Sequence, residues 1–274
     1  MMRLRSPARH ARLMHLRERV RRGGRSRLVE PLVTRLGGDL RWFGWFRELS
    51  AYYHGMTTDE FWVRYTNGRE DAAKLWGTRP RLGEADYRAF YAETDYFVLR
   101  QTHYHRHDSY YAVAAAMRRV CRRGDFCEYG CGVAPLTAFL RPRFPQWRYT
   151  LVDLPTPTLE FARWRFREHA NVAFKEPGLG SDLPLTSTYD VITCLDVLEH
   201  VINPLDVVKH LVEHLKPGGT LFVNFADDAG EENLVEASAQ RSQTIAYIDS
   251  TLRAIVPLDL GGLEFEAQYV KPAR

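Results

Sequence analysis

The hydrophobic pattern of this chain falls into two textures. From about residue 28 to 123, apolar and aromatic residues recur at helical spacing, with breaks at Gly37-Gly38, Gly55, Gly68, Gly77, Pro80 and Gly83. The stretch "TTDEFWVRY" offers Thr58 as an N-cap with acids in the first turn, and "GEADYRAFYAETDYFVLRQTHYHR" continues as helix. From Asp125 onward, short apolar runs alternate with helical patterns. "DFCEYG" is followed by "PLTAFLRPRF", and "RYTLVDL" by "TPTLEFARWRFREHA". "NVAFKE", "YDVITCLDVL", the helical "NPLDVVKHLVEHL" and the strand-like "GTLFVNFA" come next. A long helix, "NLVEASAQRSQTIAYIDSTLRAI", and a last strand, "LEFEAQYVK", complete the pattern.

Strands separated by helices pair in parallel through crossovers on both faces. The predicted fold is therefore α/β, a doubly wound, mostly parallel sheet with an N-terminal helical cap. Its ligand belongs where the strands' carboxyl ends meet the following loops. Three segments are expected: an arm over 1–27, a helical cap over 28–123, and the sheet domain over 124–274.

Composition narrows the class. With 274 residues, 45% of them hydrophobic, the chain can bury a full α/β core and a cap. No apolar run approaches the roughly 18 residues of a membrane span. The net charge of +4 conceals an arm with ten arginines and one glutamate, which leaves the rest of the chain acidic. An acidic body argues against nucleic acid as partner. Cys121, Cys127, Cys131 and Cys194 lack the paired spacing of a zinc site, so no metal is expected. Unpaired thiols and the lack of a secretory pattern suit the cytoplasm.

The chemistry starts at Glu128-Tyr129-Gly130-Cys131-Gly132, at the end of the first strand. Gly130 and Gly132 allow a tight bend against which a ligand can press. A dinucleotide fingerprint would carry a third glycine where Pro135 stands. The Glu128 carboxylate is a poor neighbour for a pyrophosphate and a good one for a cationic amino group. Asp153, at the tip of the second strand, can accept hydrogen bonds from both hydroxyls of a ribose; the competing role is N-cap of the next helix. A third region holds Asp196, the run Val197-Leu198-Glu199-His200, an amphipathic helix and Lys216-Pro217-Gly218-Gly219, which reads as a turn before a strand.

In this order the motifs resemble those of class I S-adenosylmethionine-dependent methyltransferases, in particular the small-molecule methylases of the quinone-biosynthesis type. In that family an E-x-G-x-G turn ends strand one, an acid ends strand two, a D-x-L-E-H-like segment follows strand four and a KPGG turn precedes strand five. The resemblance spans residues 125–226 and implies a Rossmann-like fold with S-adenosyl-L-methionine as cofactor. It implies that Glu128, Gly130 and Gly132 surround the methionine portion, that Asp153 binds the ribose and that Leu154 lies against the adenine. Asp182 and Leu183 would supply an adenine contact, and Asp196 would face the methionine end.

The acceptor site is expected from the helical cap, where "TDYFVLRQTHYHRHDSYY" gathers Tyr96, Arg100, His103, Tyr104, His105 and His107. Helical spacing puts Tyr96, Arg100, His103 and His107 near one face. Arg100, His103 and His200 are the candidate catalytic groups, and His200 could equally pack structurally. The implied activity is methyl transfer to a small-molecule acceptor. Two other readings stay open at this point: an NAD-dependent oxidoreductase or nucleotide-sugar enzyme, and a non-catalytic cofactor-binding partner protein.

Overall fold

The computed structural model describes residues 43–80, 83–103, 107–120, 122–178, 180, 183–226, 233–256 and 267–273, with the side chains of 107–109 left aside. The basic arm, Tyr104, His105, Cys121 and Asp182 lie outside the described residues.

The first part is helical: α1 (Gly44–Tyr52), α2 (Thr58–Thr78), α3 (Glu84–Glu93), α4 (Tyr96–His103) and α5 (His107–Val120). The N-cap of α2 is Thr57, one residue before the expected Thr58. The shift has a clear cause, because a reciprocal capping box needs an acid three positions on. Glu60 fits that position: its N–H donates to Thr57 Oγ1 at 3.2 Å and its Oε2 accepts from Thr57 N at 2.7 Å.

The second part alternates strand and helix: β1 (Asp125–Tyr129), α6 (Pro135–Leu140), β2 (Arg148–Val152), α7 (Pro157–Phe166), β3 (Val172–Lys175) and β4 (Tyr189–Cys194). A 3-10 turn over Leu198–His200 leads to α8 (Pro204–Glu213), β5 (Leu215–Val223), α9 (Val235–Thr251), β6 (Arg253–Val256) and β7 (Ala267–Val270). The seven-stranded sheet has the order β3-β2-β1-β4-β5-β7-β6. β1 through β5 pair in parallel, while β7 runs antiparallel to both β5 and β6. From β1 the chain winds outward to β3 and then crosses to β4 on the other side. That reversal opens a crevice at the carboxyl ends of β1 and β4.

Two expectations need correcting. The long last helix stops at Thr251, and the following Arg253–Val256 is a strand paired with β7. Helical propensity could not show that a strand partner waited beyond it. Lys216-Pro217-Gly218-Gly219 is also more than a turn into β5. It forms an irregularity within that strand, where the register against β4 jumps from Tyr189↔Leu215 to Val191↔Thr220. Lys216 Nζ then reaches Asp125 Oδ2 at 2.9 Å and Asp190 Oδ2 at 2.7 Å, joining the starts of β1, β4 and β5.

Alternating strand residues supply both faces of the sheet. Phe126, Tyr149, Val191 and Phe222 pack with α5 and α6 through Val113, Met117, Leu136 and Leu140. Cys127, Ile192, Leu221 and Val223 pack with α8 and α9 through Val207, Leu211, Ile245 and Ile248. Trp76, Phe90 and Phe97 of the first helices belong to this same cluster. Phe46, Leu49, Phe61, Val98 and Leu99 form another, completed by Phe161 of α7. The N-terminal helices thus share their core with the sheet domain and lie across its carboxyl edge.

Removing the Lys216 charge should leave two carboxylates facing one another. We expect Lys216→Ala to lower stability by about 1–2 kcal/mol at neutral pH. Burial raises the Asp125 carboxyl, but the hydrogen bonds and charges of Arg148 and Lys216 outweigh it and the net shift is downward. A lowered acid contributes stability above its unfolded pKa of about 4 and loses it as pH falls through the folded value. The deficit of the variant should therefore shrink in acid. Chemical unfolding at pH 7 and pH 3.5 would show it; an equal deficit at both would mean the triad is not electrostatic.

Candidate active site

β1 ends in a turn bound tightly to the tip of β2. The N–H groups of Gly130 and Cys131 both donate to Val152 O, at 2.8 and 3.0 Å. Asp153 completes the junction: Oδ2 accepts from Gly132 N at 2.5 Å and Oδ1 from Leu154 N at 2.7 Å. The N-cap position of α7 is Thr156, so Asp153 has no capping role. Gly130 and Gly132 both lie in the left-handed region, at φ +73° and +51°. A Cβ on Gly130 would come within 2.0 Å of Val197 Cγ2, and one on Gly132 within 2.0 Å of Gln101 Oε1. Gln101, on α4, also accepts from Val133 N at 3.1 Å. The turn is therefore roofed by the cap as well as by the loop after β4.

Glu128 stands beneath this turn. Its Oε2 accepts from Thr137 N at 3.0 Å and from Thr137 Oγ1 at 2.5 Å. Thr137 sits in the first turn of α6, where a dinucleotide enzyme would present its amides to a pyrophosphate. A carboxylate already occupies them, so the arrangement opposes the NAD reading. Burial pushes the Glu128 carboxyl up to about 7 against those hydrogen bonds, and pushes Asp153 up to about 6. Both acids are poised to welcome positive charge or hydrogen-bond donors.

A cleft of about 930 Å³ opens above the turn. Its sheet-side wall includes Glu128, Gly130, Asp153, Leu154, Leu183 and Asp196. Asp196 has φ +57° and is held by Asn224, whose Oδ1 accepts its N–H at 2.6 Å and whose Nδ2 donates to its Oδ1 at 2.6 Å. Gly132 lies in the turn itself, and Gln101 stands between it and the cleft. The opposite wall comes from α2, α3 and α4 and includes Tyr65, Trp76, Tyr91, Tyr96 and Arg100. His200 also lines the cleft, with its ring 6.4 Å from that of Tyr91.

The structure separates the remaining candidates. Tyr96 and Arg100 face the cleft, but His103 is not among its described lining residues. The expectation that His103 serves the acceptor is corrected accordingly. Its ring is set among Trp45, Phe61, Trp62 and Tyr65, with centroids 5.0, 5.8, 5.6 and 5.7 Å away. It sits half-buried among these aromatic rings. His107 begins the separate helix α5, so the single-face alignment with Tyr96 does not continue through it. Among the described residues, His210, Glu213 and His214 bring potential metal-ligand atoms within 4.8 Å of one another. None of the three lines the cleft, and His210 Nε2 already accepts from Leu185 N at 3.0 Å.

Three functional candidates escaped the sequence reading. Gln101 roofs the glycine turn. Arg88 of α3 donates to Pro177 O at 2.8 Å and also bonds Gly178 O and Glu84, while Glu84 Oε2 accepts from Gly180 N at 2.8 Å. Together Glu84 and Arg88 clasp the loop that follows β3. These are polar residues within helices, and no local pattern shows which distant loop they meet.

The class of site is a nucleoside-binding crevice at the switch point of an open α/β sheet, modified by an acid at the first turn. The comparisons specify it further. Residues 127–221 match the family model described as a methyltransferase domain. A malonyl-[acyl-carrier protein] O-methyltransferase of Halalkalibacterium halodurans is 34% identical over 105 residues, covering 37% of this chain and 39% of that protein. A ubiquinone biosynthesis O-methyltransferase of Xanthomonas campestris is 29% identical over 108 residues, covering 35% and 41%. The chain thus spans about two fifths of the length of these curated relatives. Among solved structures, the N-methyltransferase NodS of Bradyrhizobium japonicum with S-adenosyl-L-homocysteine aligns over 61% of this chain and 87% of that one, at 16% identity and a TM-score of 0.45. Over residues 127–221 the chain is thus similar to a methyltransferase domain.

A methyl group on Gly130 should strain the turn and strike Val197. We expect Gly130→Ala to weaken S-adenosylhomocysteine binding at least tenfold while the protein still unfolds cooperatively; calorimetric titration together with thermal melting reads both. Normal binding by the folded variant would show that the turn does not approach the ligand. The raised acids carry a second expectation. The native state holds these protons more tightly than the unfolded chain, so their contribution is complete below about pH 4 and is lost as pH rises through 6 and 7. Between pH 5.5 and 8 the ligand-free protein should lose thermal stability, and Glu128→Gln should flatten that dependence. An unchanged slope in the variant would assign the effect to other groups.

Proposed function

We propose that this protein transfers a methyl group from S-adenosyl-L-methionine to a small-molecule acceptor on oxygen, nitrogen or carbon. The observation that carries the reading is a pair of acids, the buried Glu128 and the half-buried Asp153, on either side of a left-handed glycine turn at the carboxyl edge of β1. Their chemistry fits the cofactor. A buried carboxylate near the turn suits a cationic amino-acid portion, and a second at the tip of β2 suits a ribose diol. Leu154 and Leu183 offer an apolar wall to the adenine, with Asp182 as a further candidate there. Asp196 would face the methionine end.

The bound cofactor supplies an activated methyl on a sulfonium. The chain's part is to bind, orient and exclude water. The helices of 44–120, within the proposed cap of 28–123, close the crevice and hold the acceptor in line with the methyl group. The cleft gives His200 a place from which it could take the acceptor's proton, whereas His103 is not among the described lining residues. Arg100 is assigned to orienting the acceptor. Methyl transfer in this arrangement relies chiefly on positioning, with a base added only for an acceptor of low acidity. The acidic body and the enclosed cleft favour a small molecule over nucleic acid. Among the described residues no helix is long and apolar enough to cross a membrane, and we assign the protein to the cytoplasm on its unpaired thiols.

Asp153→Ala tests the donor side. A half-buried carboxylate shared by two hydroxyls contributes about 2 kcal/mol or more, equivalent to at least thirtyfold in affinity. Titration calorimetry with S-adenosylhomocysteine should show that loss, and NAD should bind to neither form. Affinity retained within threefold would place the ribose elsewhere.

A further inference from the structure

The glycine turn that ends β1 uses its own hydrogen-bond donors internally. Gly130 N and Cys131 N donate to Val152 O, and Ala134 N donates to Cys131 O at 2.7 Å. Gly132 N goes to Asp153 Oδ2 and Val133 N to Gln101 Oε1. Pro135 follows and has no N–H. Beyond it, Thr137 N is taken by Glu128 Oε2 at 3.0 Å. From 130 to 135 the backbone therefore has no N–H left to give an anion in the crevice. The side chains of this wall are charged the wrong way for one. Among the described lining residues, the sheet domain contributes Glu128, Asp153, Asp196, Glu199 and Asp206, and no Arg or Lys.

The amino-acid end of the cofactor is a zwitterion. Its ammonium suits these acids, but its carboxylate needs a hydrogen-bond donor at the same turn. The cap supplies one. Gln101 of α4 is half-buried, lines the cleft and stands over Gly132, where an added Cβ would meet Oε1 and lie 3.1 Å from Nε2. The Val133 N–H fixes the amide's orientation, because only the oxygen end can accept it. Val133 is itself held from the other side, since Arg165 Nη1 donates to its carbonyl at 2.6 Å. The Gln101 amide is thus set in place before any ligand arrives. Among the described residues, no hydrogen bond engages its Nε2.

Resting on the methyltransferase reading, we propose that Gln101 binds the α-carboxylate of the methyl donor, with Oε1 kept on Val133 N and Nε2 donating to the carboxylate over Gly132. The amino-acid end is then divided between the two walls, its ammonium going to the acids of the sheet and its carboxylate to an amide of the cap. Gln101 shares α4 with Tyr96, which faces the cleft from the cap side. Donor binding thus ties α4 more firmly to the glycine turn, and the acceptor meets a wall that the donor has already fixed.

The test compares S-adenosylhomocysteine with its decarboxylated analogue, which keeps the nucleoside, the thioether and the ammonium and lacks only the carboxylate. Calorimetric titration of the full chain reads both affinities. The unaltered protein should bind S-adenosylhomocysteine at least about tenfold more tightly than the analogue. Gln101→Glu keeps an oxygen to accept the Val133 N–H and puts an anionic oxygen where the N–H donor was. It should weaken S-adenosylhomocysteine by about tenfold or more, while the analogue stays within about threefold or binds more tightly. Unchanged S-adenosylhomocysteine affinity in the variant, or an equal loss for both ligands, would overturn the proposal. Equal affinity of the two ligands for the unaltered protein would overturn it without any variant. Failure of both ligands to bind the unaltered protein would instead overturn the methyltransferase reading, and the role of Gln101 with it.

Discussion

The carboxylate of Asp153 is the junction on which the site depends. By accepting from both Gly132 N and Leu154 N, it draws the turn after β1 onto the tip of β2. Val152 O reinforces the junction by taking two further N–H groups from the same turn. Such a turn closes with glycines in the left-handed region, and the closure leaves a half-buried acid facing the crevice. A carboxylate held away from bulk water is costly even with two N–H partners. The fold bears that cost where a ligand with hydroxyl donors and positive charge would relieve it.

The helical cap is built around the same junction. Arg165 of α7, nearly buried, donates to Val133 O at 2.6 Å in the turn and pairs with Glu48 of α1 at 2.8 Å. Gln101 of α4 bonds Val133 N from above. The residue after the glycine turn is thus held through both its carbonyl and its amide by side chains tied to the cap. Packing continues the connection, since Phe161 of α7 lies in the same cluster as Phe46 and Leu99. Cap and sheet are coupled at the point where donor and acceptor would meet. A change in one wall of the cleft should therefore be felt at the other.

The aromatic content of the cap serves two ends. Trp45, Phe61, Trp62 and Tyr65 enclose His103 and build a core for short helices that could not stand alone. Tyr91, Tyr96 and Trp76 present their rings to the cleft. Tyr65 belongs to both groups, touching His103 on one side and Tyr96 on the other at centroid separations of 5.7 and 5.6 Å. Structural and ligand-facing aromatics are thus continuous, which is why composition could not tell them apart.

What the sequence determined by itself follows from short-range causes. Alternating apolar runs and helical patterns dictated a parallel sheet with crossovers, because each run must bury its face against a neighbour. The turn at Gly130 and Gly132, the acids at 128, 153 and 196, and the segment around His200 were legible because their spacing is tied to strand ends. Tertiary structure decided what depends on partners far along the chain. It put Arg253–Val256 into a strand because β7 offered an edge, and it made Lys216 a bridge between two acids from other strands. It set the half-buried His103 among four aromatic rings, contacts that helical spacing alone does not report. Gln101, Glu84 and Arg88 carry no local signature at all. Their roles come from the approach of the cap to two distant loops, and periodicity along one helix cannot report which surface that helix will meet.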